Sequence, residues 1–69
     1  MLKAGLVGAG HLGKIHLRLL QQSEQYELVG FHDKDVENGK KLEAELGYAF
    51  YENFEDLLSK IEVLDIVTP

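Results

Sequence analysis

Cysteine and tryptophan are absent, and the only proline is the last of the 69 residues. Without cysteine there is no disulfide scaffold and no thiolate metal site, and the lack fits a reducing compartment. No apolar run approaches the roughly 20 residues a membrane-crossing helix requires. The N-terminal Met-Leu-Lys-Ala-Gly run turns polar by His11, so neither a secretory h-region nor a transit peptide is expected. Basic residues are scarce: seven Lys and Arg stand against twelve Asp and Glu, a net charge of −5. That sign argues against nucleic acid and against anionic membranes as partners. There is no internal repeat or low-complexity tract, and 45% hydrophobic with 28% charged residues is an ordinary globular balance. A chain this short buries only about 60% of the surface its unfolded form exposes, so the core is small and one domain is the ceiling. The expectation is a small, acidic, cytoplasmic domain.

What the chain does have is glycine at regular points of punctuation. Leu2–Val7 is short, largely apolar and followed by glycines, which fits a buried strand. From His11 to Gln22 the residues Leu12, Ile15, Leu19 and Leu20 recur at helical spacing and predict one apolar stripe. Leu28–Phe31 reads as a second strand. Asp35 is an expected N-cap for a helix that turns Val36, Leu42 and Leu46 to the core and stops at Gly47, a left-handed C-cap. Gly39 inside that helix costs about 1 kcal/mol relative to alanine. Tyr48–Tyr51 predicts a short aromatic strand, Asn53 caps a helix over Phe54–Lys60, and Ile61–Val67 closes as a strand. The order β-α-β-α-β-α-β predicts an α/β fold with a parallel sheet, because parallel strands need crossovers. Right-handed crossovers give an expected strand order of 3-2-1-4, half of a doubly wound, Rossmann-type sheet.

Gly8-Ala9-Gly10-His11-Leu12-Gly13 is a G-x-G-x-x-G sequence that follows a predicted strand and opens a predicted helix, the context in which such a loop holds a pyrophosphate. Gly8 allows the tight turn, Gly10 has no Cβ to keep a phosphate from the backbone amides, and Gly13 lets the helix lie close on the strand. Ala9, His11 and Leu12 belong to the same loop, and the amides of His11 and Leu12 are expected to face the phosphates at the helix N-terminus. Asp33 follows Gly13 at the roughly 20-residue spacing of the acid that binds the adenosine ribose. A carboxylate there suits the free 2′-hydroxyl of NAD and repels the 2′-phosphate of NADP. No arginine stands nearby to grip that phosphate, Arg18 being on the first helix. Lys34, beside the acid, softens the discrimination. A mononucleotide P-loop is excluded because no Gly-Lys-Ser/Thr is present.

Other polar residues carry blander readings. His16, on the first helix, is expected to pack or cap, since no nucleophile or carboxylate stands at a suitable spacing to pair with it. His11, His16 and His32 are not at zinc spacing, so no metal site is expected. Tyr48, Phe50 and Tyr51 read as sheet and rim packing, and the scattered glutamates as solvated faces.

Leu-Val-Gly-Ala-Gly-His-Leu-Gly-Lys-Ile-His at positions 6–16 resembles the opening of the Gfo/Idh/MocA oxidoreductases. Phe31-His32-Asp33 resembles that family's second strand and acid. Phe54-Glu55-Asp56-Leu57-Leu58 and Val63-Leu64-Asp65-Ile66-Val67-Thr68-Pro69 resemble its third helix and fourth strand. The resemblance implies a nicotinamide-dependent oxidoreductase that passes hydride between the cofactor and a sugar, cyclitol or similar small molecule. It carries binding roles onto Gly8, Gly10, Gly13 and Asp33 and, more loosely, Thr68 and Pro69. In that family the catalytic lysine lies in a Glu-Lys-Pro segment after the next strand and a large α/β domain closes the substrate pocket. Neither is in this sequence. Residues 1–69 are therefore expected to be the N-terminal part of a dinucleotide-binding domain, with no catalytic residue of their own and the small-molecule substrate held by a domain outside this chain. The open edge of the last strand or the uncovered sheet face predicts self-association as a homo-oligomer. A non-catalytic module that binds or senses a nucleotide is the alternative the fold equally permits.

Overall fold

The computed structural model describes residues 1–67, so Thr68 and Pro69, expected to border the cofactor, lie outside the described residues. Six elements follow one another: β1 (Leu2–Val7), α1 (His11–Gln22), β2 (Tyr26–His32), α2 (Val36–Leu46), α3 (Phe54–Leu58) and β3 (Val63–Ile66). The three strands form one sheet in the order β2-β1-β3, and both pairings are parallel. The α/β half-Rossmann architecture is as expected, with β1 central and the chain returning to its other side for β3.

The expected third strand at Tyr48–Tyr51 is reduced to a single parallel bridge between Phe31 and Phe50 on the outer edge of β2. Its two ladder bonds run from the Phe31 amide to the Ala49 carbonyl (2.9 Å) and from the Tyr51 amide to the Phe31 carbonyl (2.7 Å). The next acceptor in the ladder, the Tyr51 carbonyl, is taken by the His32 ring at 2.8 Å. On the other side the Phe50 amide donates to the Glu43 carboxylate at 2.8 Å. The His32 ring thus takes the acceptor that a longer ladder on β2 would use, and Glu43 satisfies an amide that points away from β2. The segment keeps its expected place next to β2 but not its length. The last helix and strand are likewise shorter than expected: α3 ends at Leu58 rather than Lys60, and β3 spans Val63–Ile66 rather than Ile61–Val67.

The helices bury faces that periodicity alone does not select. In α1 the buried residues are Gly13 and Leu17, with Leu20 half-buried, whereas Leu12 and Leu19 of the expected stripe are 57% and 59% exposed. In α2 the buried residues are Gly39 and Leu42, and Leu46 faces solvent. Both corrections have one cause. A glycine marks the point of closest approach in each helix: a Cβ on Gly13 would strike the Gly8 carbonyl, and one on Gly39 would strike the Phe50 ring. The resulting core joins Leu6, Ala9, Leu17, Phe31 and Leu42, with the Phe31 and Phe50 rings 5.4 Å apart. On the opposite sheet face Gly5 lies under Leu57 and Ile61. Burying each of the largest of these side chains, Leu6, Leu17, Phe31 and Leu42, contributes about 1.5–3 kcal/mol.

Candidate functional site

The site forms where β1 turns into α1. Gly8 has φ 95°, a left-handed conformation that favours glycine, and its amide donates to the His32 carbonyl at 3.1 Å, which ties the turn to the end of β2. Ala9 is fully buried in the core beneath the loop. Gly10 is the N-cap of α1 with φ −75° and ψ −161°, and a Cβ there would meet no atom of the described residues within 4 Å. The helix start is bare among the described residues: no side chain caps it and no acid stands in its first turn. By contrast, Asp35 caps α2 with Glu37 in its first turn, and Asn53 caps α3 with Glu55 and Asp56. The first amides of a helix have no intrahelical acceptor, and aligned peptide dipoles concentrate partial positive charge there. An anion suits this end of α1, next to a glycine that leaves room for it.

Asp33 follows the last residue of β2 and is held at both oxygens. Its Oδ1 accepts from the Asp35 amide at 3.1 Å, and its Oδ2 accepts from Asn38 Nδ2 at 3.1 Å. The second hydrogen of the Asn38 amide goes to the Ala9 carbonyl at 3.2 Å. Each carboxylate oxygen has two lone pairs, so one on each remains for a ligand carrying adjacent hydroxyls.

Two concavities of about 450 Å³ each flank the loop at the C-terminal ends of the strands. One is bounded by Gly8, His32, Asp33, Lys34 and Asp35; the other by His11, Leu12, Gly13, His16 and Ile66; Gly10 and Val67 border both. Of the sequence-predicted residues, Gly8, Gly10, Asp33 and Lys34 line the first concavity and Gly10, His11, Leu12 and Gly13 the second, the two halves of the cleft meeting at Gly10. Ala9 lies beneath it rather than in it.

Two contacts escape sequence reasoning. His16 does meet a carboxylate: its Nδ1 is 2.8 Å from Asp65 Oδ2, a link between α1 and β3 that spans 49 positions. The signal for it is a lone acid within the apolar run Val63–Val67. Asn38 carries no such signal, since its backbone amide already has a local role as donor to the Asp35 cap. His32 is a structural residue, hydrogen-bonded to the Tyr51 carbonyl, with its ring centroid 5.3 Å from that of Phe54 at a tilt of 42°.

A cleft at the carboxyl ends of parallel strands, at the point where consecutive strands depart to opposite sides of β1, is where doubly wound α/β proteins hold nucleotides. The fold and the cleft define a protein of that class. More narrowly, the chain belongs to the Gfo/Idh/MocA oxidoreductase family with NAD-binding Rossmann fold, whose profile matches residues 2–69. It is 31% identical over 68 residues to UDP-N-acetylglucosamine 3-dehydrogenase of Acidithiobacillus ferrooxidans, covering 99% of this chain and 21% of that protein. It is 30% identical over 69 residues to glucose-6-phosphate 3-dehydrogenase of Bacillus subtilis, covering 100% of this chain and 20% of that one. A solved structure of the Acidithiobacillus enzyme matches with a TM-score of 0.87 at 29% identity, over 99% of this chain and 22% of its own. Myo-inositol 2-dehydrogenase of Lactobacillus plantarum matches at 0.76 and 30%, over 99% and 21%. The chain thus spans about a fifth of the length of the curated relatives it matches. Among the described residues no helix is long and apolar enough to cross a membrane.

Proposed function

We propose that residues 1–69 form the N-terminal, cofactor-binding portion of a cytoplasmic dehydrogenase that acts on a sugar, cyclitol or similar small molecule, with NAD preferred over NADP. The observation that carries the reading is the shared cleft of the bare α1 N-terminus and the doubly held Asp33 carboxylate. The open space at Gly10 fits a diphosphate, and the remaining lone pairs of Asp33 fit the two ribose hydroxyls. The relatives named above support the substrate class, since two of them act on sugars and one on a cyclitol by their names. When bound, the nicotinamide supplies the site that accepts or donates hydride. This chain's residues bind and orient: the loop amides take the phosphates, Asp33 takes the ribose, and Ile66 and Val67 border the far side of Gly10. The substrate and the groups that move its proton belong to segments beyond these residues. Self-association is part of the proposal, supported by the exposed Leu12, Leu19 and Ile66 side chains.

Selectivity rests on charge. Against a 2′-phosphate, Asp33 sets like charges a few ångströms apart in a partly desolvated cleft, and Lys34 at the rim offsets part of that repulsion. The expected preference is about 1–3 kcal/mol, the scale of a single hydrogen bond to a charged group. Calorimetric titration of the intact protein with NAD⁺ and NADP⁺ tests it. Replacing Asp33→Ala narrows the gap, and equal affinity of the unmodified protein for both cofactors overturns the assignment.

A further inference from the structure

We infer that Asn38 is a positioning residue for dinucleotide selection: its side-chain amide locks the Asp33 carboxylate to the glycine loop and so fixes the distance between the ribose-binding and phosphate-binding halves of the cleft. The inference rests on the cofactor reading above and adds a residue to it.

The Asn38 amide has two hydrogens and both are used. One goes to Asp33 Oδ2 at 3.1 Å and the other to the Ala9 carbonyl at 3.2 Å. Both partners only accept, so the amide can face them only with its nitrogen. They belong to different parts of the fold, the tip of β2 and the turn after β1, and Asn38 is the one side chain among the described residues whose hydrogen bonds join them. Asn38 is itself held. Its backbone amide donates to the Asp35 cap at 3.1 Å, and the next residue, Gly39, is pressed against Phe50 in the core. A helix-start role accounts for the backbone bond and leaves both side-chain bonds unexplained.

The consequence for Asp33 is conformational. An aspartate at a strand tip is ordinarily free to change rotamer, and ordering it costs free energy when a ligand binds. With Oδ1 on the Asp35 amide and Oδ2 on Asn38, the carboxylate is ordered beforehand. Pre-ordering strengthens its grip on a diol. It also prevents the carboxylate from swinging away from a 2′-phosphate, so repulsion of NADP is kept at full strength. Removing the amide therefore acts on the two cofactors in opposite directions, whereas general damage to the fold weakens both alike.

The test is calorimetric titration of the intact protein with NAD⁺ and NADP⁺ in four forms: unmodified, Asn38→Leu (nearly the same shape without the donors), Asp33→Ala and the double variant. Should the leucine form not fold, Asn38→Ala replaces it. The NAD⁺:NADP⁺ affinity ratio is expected to fall about tenfold in the Asn38 variant, the scale of one charge-assisted hydrogen bond. In the Asp33→Ala background the same change should leave the ratio where it was. Equal losses for both cofactors, or the same fall in the ratio without Asp33, would overturn the positioning role while leaving the cofactor reading intact. An unmodified protein that binds neither dinucleotide removes the cofactor reading itself, and this proposal with it.

Discussion

Gly10→Ala separates what the glycine loop does for the fold from what it does for a ligand. Its φ of −75° is one that alanine adopts freely, and a Cβ would meet nothing within 4 Å. Two small terms remain for stability. Alanine is a poorer N-cap than glycine by about 0.5–1 kcal/mol. Removing glycine's freedom from the unfolded chain returns about 0.4–1 kcal/mol. They nearly cancel, and a urea midpoint within experimental scatter of the parent is expected. For a diphosphate the balance differs. Amide-to-phosphate bonds require about 2.9 Å between nitrogen and oxygen, while a methyl carbon keeps neighbouring atoms at roughly 3.5–4 Å. The phosphate is pushed off the α1 amides, and losing one charge-assisted bond costs about 1.5–3 kcal/mol. NAD⁺ affinity measured by calorimetry should therefore fall roughly 10- to 100-fold at unchanged stability. A protein that binds NAD⁺ as before refutes the path of the diphosphate over Gly10, and one that unfolds refutes the steric reading of the loop.

The other two glycine and charge tests read stability. Gly13→Ala places its methyl on the Gly8 carbonyl oxygen with the carbonyl carbon at 3.0 Å, and since backbone cannot swing aside, a loss of at least about 2–3 kcal/mol in urea denaturation is expected. An unchanged midpoint would show that α1 can slide away from β1 without loss. Asp65→Asn keeps the shape of the contact to His16 and removes its charge; with the two side chains 31% and 37% exposed, the expected loss is below about 1 kcal/mol. A larger fall in the same assay would mean that this pair holds β3 to the sheet.

The fold is legible in the sequence wherever a residue's local role and its tertiary role coincide. Asp35, Gly47 and Asn53 act where they stand, as caps, and all three occupy those positions: Asp35 accepts from the Asn38 amide, Gly47 adopts φ 79°, and Asn53 accepts from the Glu55 and Asp56 amides. The glycine loop is legible for the same reason, since strand, turn and helix start are contiguous. The helix faces are not. Leucine occupies both sides of α1, so periodicity defines a helix without choosing which side is buried, and the choice falls to Gly13 against Gly8. The third strand is overestimated because Tyr48–Tyr51 has the right composition, while the group that takes the next ladder acceptor, the His32 ring, lies outside it in sequence. Asn38 and Asp65 share that character: each has a partner far away in sequence, Ala9 at 29 positions and His16 at 49.

The hydrogen bonds divide the cleft unequally, and the division bears on what each half can do. On the Asp33 side the turn after β1 and the tip of β2 are joined by the Gly8 amide to the His32 carbonyl and by Asn38 to Ala9 and Asp33. All of these residues lie within β1, β2, α2 and their turns, so this half is completed by local crossovers. On the far side of Gly10 the only side-chain hydrogen bond among the described residues that joins α1 to β3 is the part-buried His16–Asp65 pair, and the adjoining Ile66 is 66% exposed. Rigid polar ties suit recognition of an invariant group such as a ribose, where a fixed carboxylate gains by being ordered in advance. In the proposed dehydrogenase, a loosely tied, apolar border suits a surface that other parts of the protein cover to keep water from the chemistry. On the proposed reading, recognition of the cofactor is built into the first two crossovers, and the second concavity is shaped by what packs against Leu12, His16 and Ile66.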